Sequence, residues 1–242
     1  MRVSDVRAAD FDGDDDLDLV VAEFGLYREG GIYLMKNTGT IDGVPQFETV
    51  VLDDRPGGIH VPVIDLNGDG HLDFVALISQ QHECVVAFLN RGDATFTREI
   101  VFEAKNPAYG SSGLELTDMD GDGDVDVLMS NGDTVDDQLP KPIHSVLWLE
   151  HRGGFPFDHH HIGQFPGAYR AVSGDIDGDG DVDVAAVSLL TGASVSGFKS
   201  GTFDAVSVFE QTSPGAFKRH RLQTDRCEAA TCNLVDWDQD GD

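Results

Sequence analysis

Aspartate occupies every odd position of the nine-residue stretch 118–126. Glycine stands at its fourth and sixth positions, and a hydrophobic residue stands at its eighth. Carboxylates crowded this closely repel one another until a cation neutralises them, and an all-oxygen donor set suits a hard divalent cation. Glycine has no Cβ, so the backbone can curl tightly enough to bring alternate side chains to one point. The stretch is therefore predicted to bind a metal ion.

The same pattern recurs along the chain. We name the complete copies loop 1 (residues 10–18), loop 2 (65–73), loop 3 (118–126) and loop 4 (175–183); a fifth copy, residues 236–242, is cut off by the end of the sequence. Loop 2 departs from the pattern, with asparagine at position 3 and histidine at position 7. The candidate metal residues are those at the odd positions of the four complete loops: Asp10, Asp12, Asp14, Asp16, Asp18, Asp65, Asn67, Asp69, His71, Asp73, Asp118, Asp120, Asp122, Asp124, Asp126, Asp175, Asp177, Asp179, Asp181 and Asp183.

The composition is strongly acidic. Aspartate and glutamate outnumber lysine and arginine 44 to 16, which gives a net charge of −28. About half of the acidic residues lie in the loops, so much of the excess belongs to the predicted metal sites. A polyanion is a poor partner for nucleic acid or an anionic membrane, both of which attract basic patches. No apolar run approaches the ~20 residues that a membrane helix needs. We expect no nucleic-acid partner and no membrane insertion by this segment.

The loops are evenly spaced. Their first aspartates stand at 10, 65, 118, 175 and 236, so the steps are 55, 53, 57 and 61 residues. A near-constant step is typical of a repeat architecture. The repeats run approximately over 1–54, 55–107, 108–164 and 165–225, with a partial repeat at 226–242. Because the first loop is already reached at residue 10 and the last is incomplete, we expect an internal fragment of a longer protein with further repeats.

Each repeat shows four strand-like segments that would position the loop. The segment before the loop alternates apolar and polar residues, and the segment after it is a nearly continuous apolar run, as in a strand buried on both faces. A third apolar segment ends at a polar turn with glycine, which is typical of a β-hairpin. The fourth is richer in charge, as suits an outer edge, and starts at Phe47, Phe96, Phe157 and Phe217. Four antiparallel strands per repeat predict an all-β propeller built of four-stranded blades.

This combination resembles the FG-GAP/VCBS repeat proteins, whose calcium-loop blades also build the head of integrin α subunits. The resemblance covers essentially the whole chain and rests on the loop D-x-[DN]-G-D-G-x-x-D, since the literal FG…GAP spelling is not evident. It implies about four Ca²⁺ sites, bound by the side chains at positions 1, 3, 5 and 9 and the backbone carbonyl at position 7. Family propellers commonly have seven blades, which implies an open fragment of four blades and the start of a fifth. Loop 2, with three carboxylate ligands, is expected to be the weakest site.

Two other interpretations of the loops are weaker. An EF-hand begins similarly, but it needs a bidentate Glu at position 12 and flanking helices. Position 12 here is occupied by residues inside predicted strands: Val21, Ala76, Met129 and Ala186. Acidic hairpin turns without metal are the other interpretation. Such clusters, repeated this regularly without a cation, would cost stability through like-charge repulsion.

The connections at the end of each blade opposite the loops are candidates for ligand binding. The two longest insertions, residues 131–143 and 191–202, lie there. Four side chains stand just before the innermost strands at the same end: His60, Tyr109, Tyr169 and Arg170. Exposed loops on a rigid scaffold often carry binding sites. Long connections without a function are an equally open interpretation.

Two classes of function remain from the sequence. The first is a calcium-stabilised binding or adhesion module for protein or polysaccharide, placed outside the cell, in the periplasm or at the cell surface, where calcium is millimolar. The second is the propeller of a calcium-dependent polysaccharide lyase. No G-x-S-x-G, H-E-x-x-H or phosphate-loop motif occurs in the sequence. No catalytic residue is assigned, and only a few side chains are even roughly placed to supply a base and a cation: His60, Tyr109, His144 and Arg170.

Cysteine and histidine offer two further features. Cys84 opens an apolar segment and is expected to be a small buried hydrophobe. Cys227 and Cys232 lie five residues apart, and whether they pair in an oxidising compartment stays open. The run His159–His161 looks like a metal tract, but its place on a fourth strand favours a solvated edge strand.

Overall fold

The computed structural model describes residues 2–25, 29–135, 138–190, 192 and 196–236. These residues form 17 strands in four antiparallel sheets, each of which we call a blade, so the all-β blade prediction is confirmed. The chain divides into two compact units, Met1–Ala108 (unit 1) and Tyr109–Asp242 (unit 2), close to the predicted boundary between the second and third repeats. The fifth loop copy lies outside the described residues after Asp236. Among the described residues, no helix is long and apolar enough to cross a membrane.

Unit 1 contains blades 1 and 2. Blade 1 consists of β1 (Val3–Ala9), β2 (Asp18–Glu23), β3 (Gly31–Ile41) and β4 (Val44–Asp53), paired in sequence order. Blade 2 consists of β5 (Gly58–His60), β6 (Val63–Ile64), β7 (Asp73–Ile78), β8 (Cys84–Asn90) and β9 (Phe96–Glu103). Strands β5 and β6 both pair with β7 and together take the place of a first strand.

Unit 2 contains blades 3 and 4, again with each strand paired to the next. Blade 3 consists of β10 (Ser111–Thr117), β11 (Asp126–Asn131), β12 (Ser145–Glu150) and β13 (Asp158–Gln164). Blade 4 consists of β14 (Ala168–Gly174), β15 (Asp183–Ser188), β16 (Asp204–Ser213) and β17 (Ala216–Thr224). In every blade the metal loop joins the first strand to the second, and position 9 of the loop is the first residue of the second strand.

The second and fourth strands of the blades differ in burial as the sequence predicts. Strands β7, β11 and β15 are buried along their whole length, because they lie between two neighbours in the sheet and under a facing layer. The fourth strands β9, β13 and β17 lie at sheet edges and are largely exposed. The histidine run at 159–161 falls on β13, so its prediction as an edge strand is confirmed.

Two predicted strands differ in the structure. The expected continuous strand at 60–64 is broken at Pro62, which lacks the backbone N–H that a ladder requires. The segment 232–235, expected as the inner strand of a fifth blade, is not a strand. In the other copies the first strand pairs with the strand that follows its loop, and that position lies beyond the last described residue.

The second residue of a loop anchors it to the core of its unit. Phe11 is 2% exposed, and its ring packs edge-on against Phe74 and Phe96 of blade 2, with centroids 6.2 Å and 5.5 Å away. Met119 does the same in unit 2, where it is buried in a cluster that includes Phe209 of blade 4. Burial of one such side chain contributes about 2 kcal/mol. Each of these two loops is therefore fixed on the next blade as well as its own.

The three cysteines are free thiols. Cys84 is fully buried, as predicted, and burial raises the pKa of its thiol to about 11. The sulfur of Cys227 faces the carbonyl of Asp204 at 3.5 Å, and that of Cys232 faces the carbonyl of Arg170 at 3.9 Å. The two thiols that the sequence left open as a pair have separate surroundings.

Candidate metal centre

The aspartate at position 9 joins each loop to the sheet. In loop 3, Asp126 is fully buried, and its two carboxylate oxygens accept backbone N–H groups from Met119, 3.0 Å away, and His151, 2.7 Å away. Loops 1, 2 and 4 repeat this arrangement, with one donor at position 2 and the other on the third strand: Phe11 and Asn37 to Asp18, Leu66 and Asn90 to Asp73, and Ile176 and Gln211 to Asp183. Position 9 thus fixes both ends of the site.

The aspartate at position 1 folds the loop around itself. Asp118 accepts the N–H groups of Gly121 at 2.8 Å and Gly123 at 3.0 Å. The first aspartates of the other loops accept corresponding N–H groups at positions 4 to 6: Gly13, Asp14 and Asp15 to Asp10, Gly68, Asp69 and Gly70 to Asp65, and Gly178 and Gly180 to Asp175. In each loop, one carboxylate therefore holds the turn through hydrogen bonds that do not require an ion.

The turn requires left-handed backbone at positions 4 and 6. Gly121 and Gly123 have φ values of +75° and +94°, a region that glycine enters without steric cost. Loop 1 has aspartate instead of glycine at position 6, and Asp15 still adopts φ of +69°. Loop 1 therefore adopts the same backbone conformation as the other loops, but with some strain at Asp15.

Positions 3, 5 and 7 form a rim that is exposed in loops 2 and 3, whereas Asp12 of loop 1 and Asp181 of loop 4 are half-buried. The position 5 carboxylate accepts the N–H of position 7 in all four loops, for example Asp124 to Asp122 at 2.9 Å. The position 3 side chain accepts the N–H of position 5 in loops 2, 3 and 4. In loop 2, Asn67 also donates its amide N–H to Asp69, 3.0 Å away. The position 7 side chain has no part in this backbone network.

Carboxylate oxygens converge in three of the loops. Three groups of acidic side chains among the described residues bring one oxygen each to within 4.8 Å of the others: Asp10, Asp12 and Asp18; Asp118, Asp120 and Asp122; and Asp175, Asp177 and Asp183. Loop 2 has an amide at position 3, so it offers fewer carboxylates. These all-oxygen donor sets fit a hard divalent cation. The structure thus brings together positions 1 and 3 with position 5 or 9, whereas the full ligand assignment stays a prediction.

The position 9 carboxylates of loops 1, 2 and 3 are electrostatically strained without a cation. Burial raises the pKa of Asp126 to about 6, although the hydrogen bonds from His151 and Met119 lower it. Burial also raises the pKa of Asp18 and of Asp73, and neighbouring loop carboxylates add to both shifts. A raised pKa means that the negative charge is disfavoured where it lies. A bound cation would relieve this cost.

The side chains considered for chemistry at the opposite end have other roles. His144 is fully buried, and its Nδ1 accepts the backbone N–H groups of Lys141 and Gly167. Arg170 donates to the carbonyl of Leu114 at 2.7 Å and pairs with Glu115 at 3.3 Å. In unit 1, the His60 ring lies 3.9 Å from the Asp5 carboxylate. These contacts join neighbouring first strands or fill the core.

In unit 2, the blade 3 insertion contacts the chain just before the blade 4 insertion. The Thr134 hydroxyl donates to the carbonyl of Leu189, 3.4 Å away, which joins the blade 3 insertion to the last residues before the blade 4 insertion. Asn131 closes the base of the first insertion by donating to the carbonyl of Ile143 at 2.9 Å. Large apolar side chains on the insertions are exposed at Val135, Leu139 and Phe198. Residues 136, 137, 191 and 193–195 of the insertions lie outside the described residues.

Sequence reasoning missed the residues that the third strand brings to the loops. Asn90 donates its side-chain amide to the carbonyls of Phe11 in loop 1, at 2.8 Å, and Leu72 in loop 2, at 3.1 Å. Gln211 does the same for Met119 of loop 3 and Val182 of loop 4. In β3, Lys36 directly precedes the equivalent residue, Asn37, and forms an ion pair with Asp12. The only sequence signal for these residues is their place just before a polar turn.

Comparison with known proteins agrees with this architecture. A family model described as "FG-GAP-like repeat" matches residues 10–76 and again residues 65–129. No curated protein matches the chain. Among solved structures, the chain is similar to the V. cholerae biofilm matrix protein Bap1, with 16% sequence identity and a TM-score of 0.38; the match covers 89% of this chain and 38% of that chain. At that TM-score the likeness carries no argument about function.

Proposed function

Because the chain belongs to the FG-GAP-like repeat proteins through residues 10–129, we propose that it is a calcium-binding repeat module that acts by binding rather than by chemistry of its own. The observation that carries the proposal is the convergence of acidic oxygens in loops 1, 3 and 4 on one shared backbone design. Loop 2 repeats the hydrogen bonds of that design with one carboxylate fewer. About four sites follow.

Calcium fits these loops better than magnesium does. Ca²⁺ accepts six to eight oxygen ligands in flexible geometry, whereas Mg²⁺ demands a near-ideal octahedron and keeps several waters. Each loop combines a buried, fixed carboxylate at position 9 with an exposed carboxylate at position 5 that can adjust. Positions 1, 3, 5 and 9 would supply side-chain oxygens, and position 7 its backbone carbonyl.

We assign ligand binding to the connections opposite the loops, with protein or polysaccharide as the ligand. The contact of Thr134 with Leu189 supports this, because it holds the blade 3 insertion against the residues that lead into the blade 4 insertion. Exposed Leu139 and Phe198 supply apolar area on it. A polysaccharide lyase gains no support from the same end, since Arg170 is engaged by Glu115 and His144 is buried.

An extracellular, periplasmic or cell-surface location accords with the metal chemistry. Low-affinity calcium sites, with Kd values of about 10⁻⁴–10⁻³ M, fill only where calcium is millimolar. Such a module would be loaded outside the cell and empty in a calcium-poor compartment.

Thermal melting in EGTA and in millimolar calcium tests the calcium proposal. One site at a hundredfold excess of calcium over Kd stabilises the folded state by about 2.7 kcal/mol, and several sites add to this. The melting temperature should therefore rise clearly with calcium and much less with magnesium. Equal melting temperatures in EGTA and calcium would contradict the proposal.

The ligand surface is tested by binding of the purified protein to immobilised polysaccharides and surface proteins. Phe198→Asp and Leu139→Asp should weaken whatever binding the wild type shows. Leu222→Asp is the matched control, because Leu222 is equally exposed but lies on the edge strand β17. Equal loss of binding in all three variants would argue against the insertions as the binding surface.

A further inference from the structure

One residue of each blade occupies the same place beside its metal loop, just past the end of the pairing between the third strand and the second. It immediately precedes the residue whose N–H binds the position 9 aspartate, as Lys36 precedes Asn37 and Glu150 precedes His151. We call it the strand-end residue. The four strand-end residues are Lys36, Leu89, Glu150 and Glu210. Their charges differ although the loops share one backbone design.

In loop 1 the strand-end residue places a cation among the candidate ligands. The Lys36 ammonium lies 2.6 Å from an oxygen of Asp12, and Asp12 converges with Asp10 and Asp18. A divalent ion entering this loop meets a positive charge that belongs to the protein. Electrostatic repulsion between like charges then opposes binding.

In loops 3 and 4 the strand-end residue has the opposite charge. Glu150 accepts hydrogen bonds at Oε2 from Arg152 and from His160 on the neighbouring strand, both at 2.7 Å. Glu210 has matching partners in Lys218 and His220. Arg152 and Lys218 are largely exposed, so solvent screens them and they offset the carboxylate charge only in part.

Glu150 and Glu210 occupy the place in their blades that Lys36 occupies in blade 1. Each comes directly after the last third-strand residue that pairs with the second strand, and each precedes the residue whose N–H binds the position 9 aspartate. Both glutamates therefore stand beside their loops, at the position from which Lys36 reaches Asp12.

We propose that the strand-end residue sets the calcium affinity of each loop: Lys36 weakens loop 1, and Glu150 and Glu210 strengthen loops 3 and 4. This inference rests on the proposed calcium binding. Counting positions 1, 3, 5 and 9 together with the strand-end residue, loops 1 and 2 carry a charge of −3 each and loops 3 and 4 carry −5 each. The loops of unit 2 fill at lower calcium than those of unit 1, which gives the module two stages of loading.

A site-resolved calcium titration tests the proposal on the intact chain. The position 4 glycine amides report each loop separately, because each donates to the first aspartate of its own loop: Gly13, Gly68, Gly121 and Gly178. In ¹H–¹⁵N NMR spectra of the wild type, the Gly13 signal should reach its midpoint at higher calcium than the Gly121 and Gly178 signals.

Replacing the strand-end residue should move one midpoint only. Lys36→Met is expected to lower the Gly13 midpoint about tenfold, and Lys36→Glu to lower it further, with Gly121 unchanged. Glu150→Lys should raise the Gly121 midpoint by more than tenfold. Leu89→Met, a neutral exchange at the same place beside loop 2, is the control and should leave the Gly68 midpoint in place.

The outcomes separate this inference from the proposal beneath it. If the glycine amides respond to calcium but Lys36→Met and Lys36→Glu leave the Gly13 midpoint where it was, the strand-end residue does not tune affinity. If no glycine amide of the wild type responds, calcium binding itself is overturned, and this inference with it. Unchanged amide signals of β2 and β3 verify the fold of each variant, and Lys36→Met keeps the test decisive if Lys36→Glu disturbs it.

Discussion

Loop 1 and loop 3 follow the same nine-residue pattern, but they differ in the residue at position 6 and in the charge beside the loop. Both bury the position 9 aspartate and tie it to two backbone N–H groups. At position 6, loop 1 has Asp15 in left-handed backbone where loop 3 has Gly123. Beside the loop, Lys36 of β3 stands where β12 has Glu150. Loop 1 and loop 3 thus have the same backbone conformation but differ in backbone strain and in the charge beside the loop.

The comparison separates what folds a loop from what it binds. Positions 1 and 9 accept backbone N–H groups in the same way in both loops, so they fix the turn and join it to the sheet in either case. The net charge facing an ion depends also on a residue that is distant in sequence and belongs to another strand. Two loops that match the same family pattern can therefore differ in affinity. The predictions that follow test this separation.

The largest effect is expected from the residue that the two loops share. Asp126→Ala leaves the buried N–H groups of Met119 and His151 without their acceptor, and Asp18→Ala does the same to Phe11 and Asn37. Each variant should lose about 3 kcal/mol of unfolding free energy, measured by urea unfolding in EGTA. Asp124→Ala, an exposed position 7, is the control and should cost less than about 0.5 kcal/mol. A small loss in either position 9 variant would break the claim of a shared scaffold.

The pH dependence without metal should show the next largest effect. The folded pKa of Asp126 is about 6, above the ordinary value of 3.8, so the folded state holds the proton more tightly than the unfolded state does. The protonated Asp126 carboxyl therefore stabilises the folded state fully below pH 3.8, and this stabilisation is lost as the pH rises to about 6. The loss should amount to about 2 kcal/mol, read as the difference between wild type and Asp126→Asn in EGTA. Saturating calcium should abolish it, because metal and proton compete. An identical pH profile of the two proteins would contradict this assignment.

The division between side-chain and backbone ligands predicts a smaller, local effect. Asp122→Ala at position 5 should weaken loop 3 by about tenfold or more, whereas Asp124→Ala at position 7 should leave its affinity nearly unchanged. Asp14→Ala and Asp16→Ala are the corresponding pair in loop 1. Calorimetric calcium titration of the four variants measures the number and strength of the sites. Equal weakening by the position 5 and position 7 variants would show that the ligand assignment is wrong.

The sequence predicted the fold well because periodicity and burial follow one rule in every repeat. The continuous apolar runs became the central strands β7, β11 and β15, and the charged segments became edges. The break at Pro62 was missed, since alternation continues through a residue that cannot donate to the ladder. His144 was considered as roughly placed to act on a substrate, but in the structure its side chain is fully buried.

The candidate site was predictable only within the loops. From position 9 to the residue that donates to it from the third strand, the chain runs 19, 17, 25 and 28 residues in loops 1 to 4. These unequal lengths arise from insertions between the second and third strands, so no fixed spacing marks Lys36 or Glu150. Sheet pairing brings the strand end to the loop, and that register is a property of the folded chain.

The smallest expected effect concerns the strain at position 6. A Cβ at the position 6 glycine of loops 2, 3 and 4 would meet no atom within 4 Å, so only the left-handed backbone distinguishes aspartate from glycine there. Asp15→Gly should therefore raise the unfolding free energy in EGTA by about 0.5 kcal/mol, since relief of strain slightly exceeds the added freedom of the unfolded chain. The reciprocal Gly123→Asp, which gives loop 3 the residue of loop 1, should lower it by about 1 kcal/mol. Urea unfolding of both variants beside wild type measures the pair. If Gly123→Asp proves as stable as wild type, Asp15 carries no strain, and the two loops differ in charge alone.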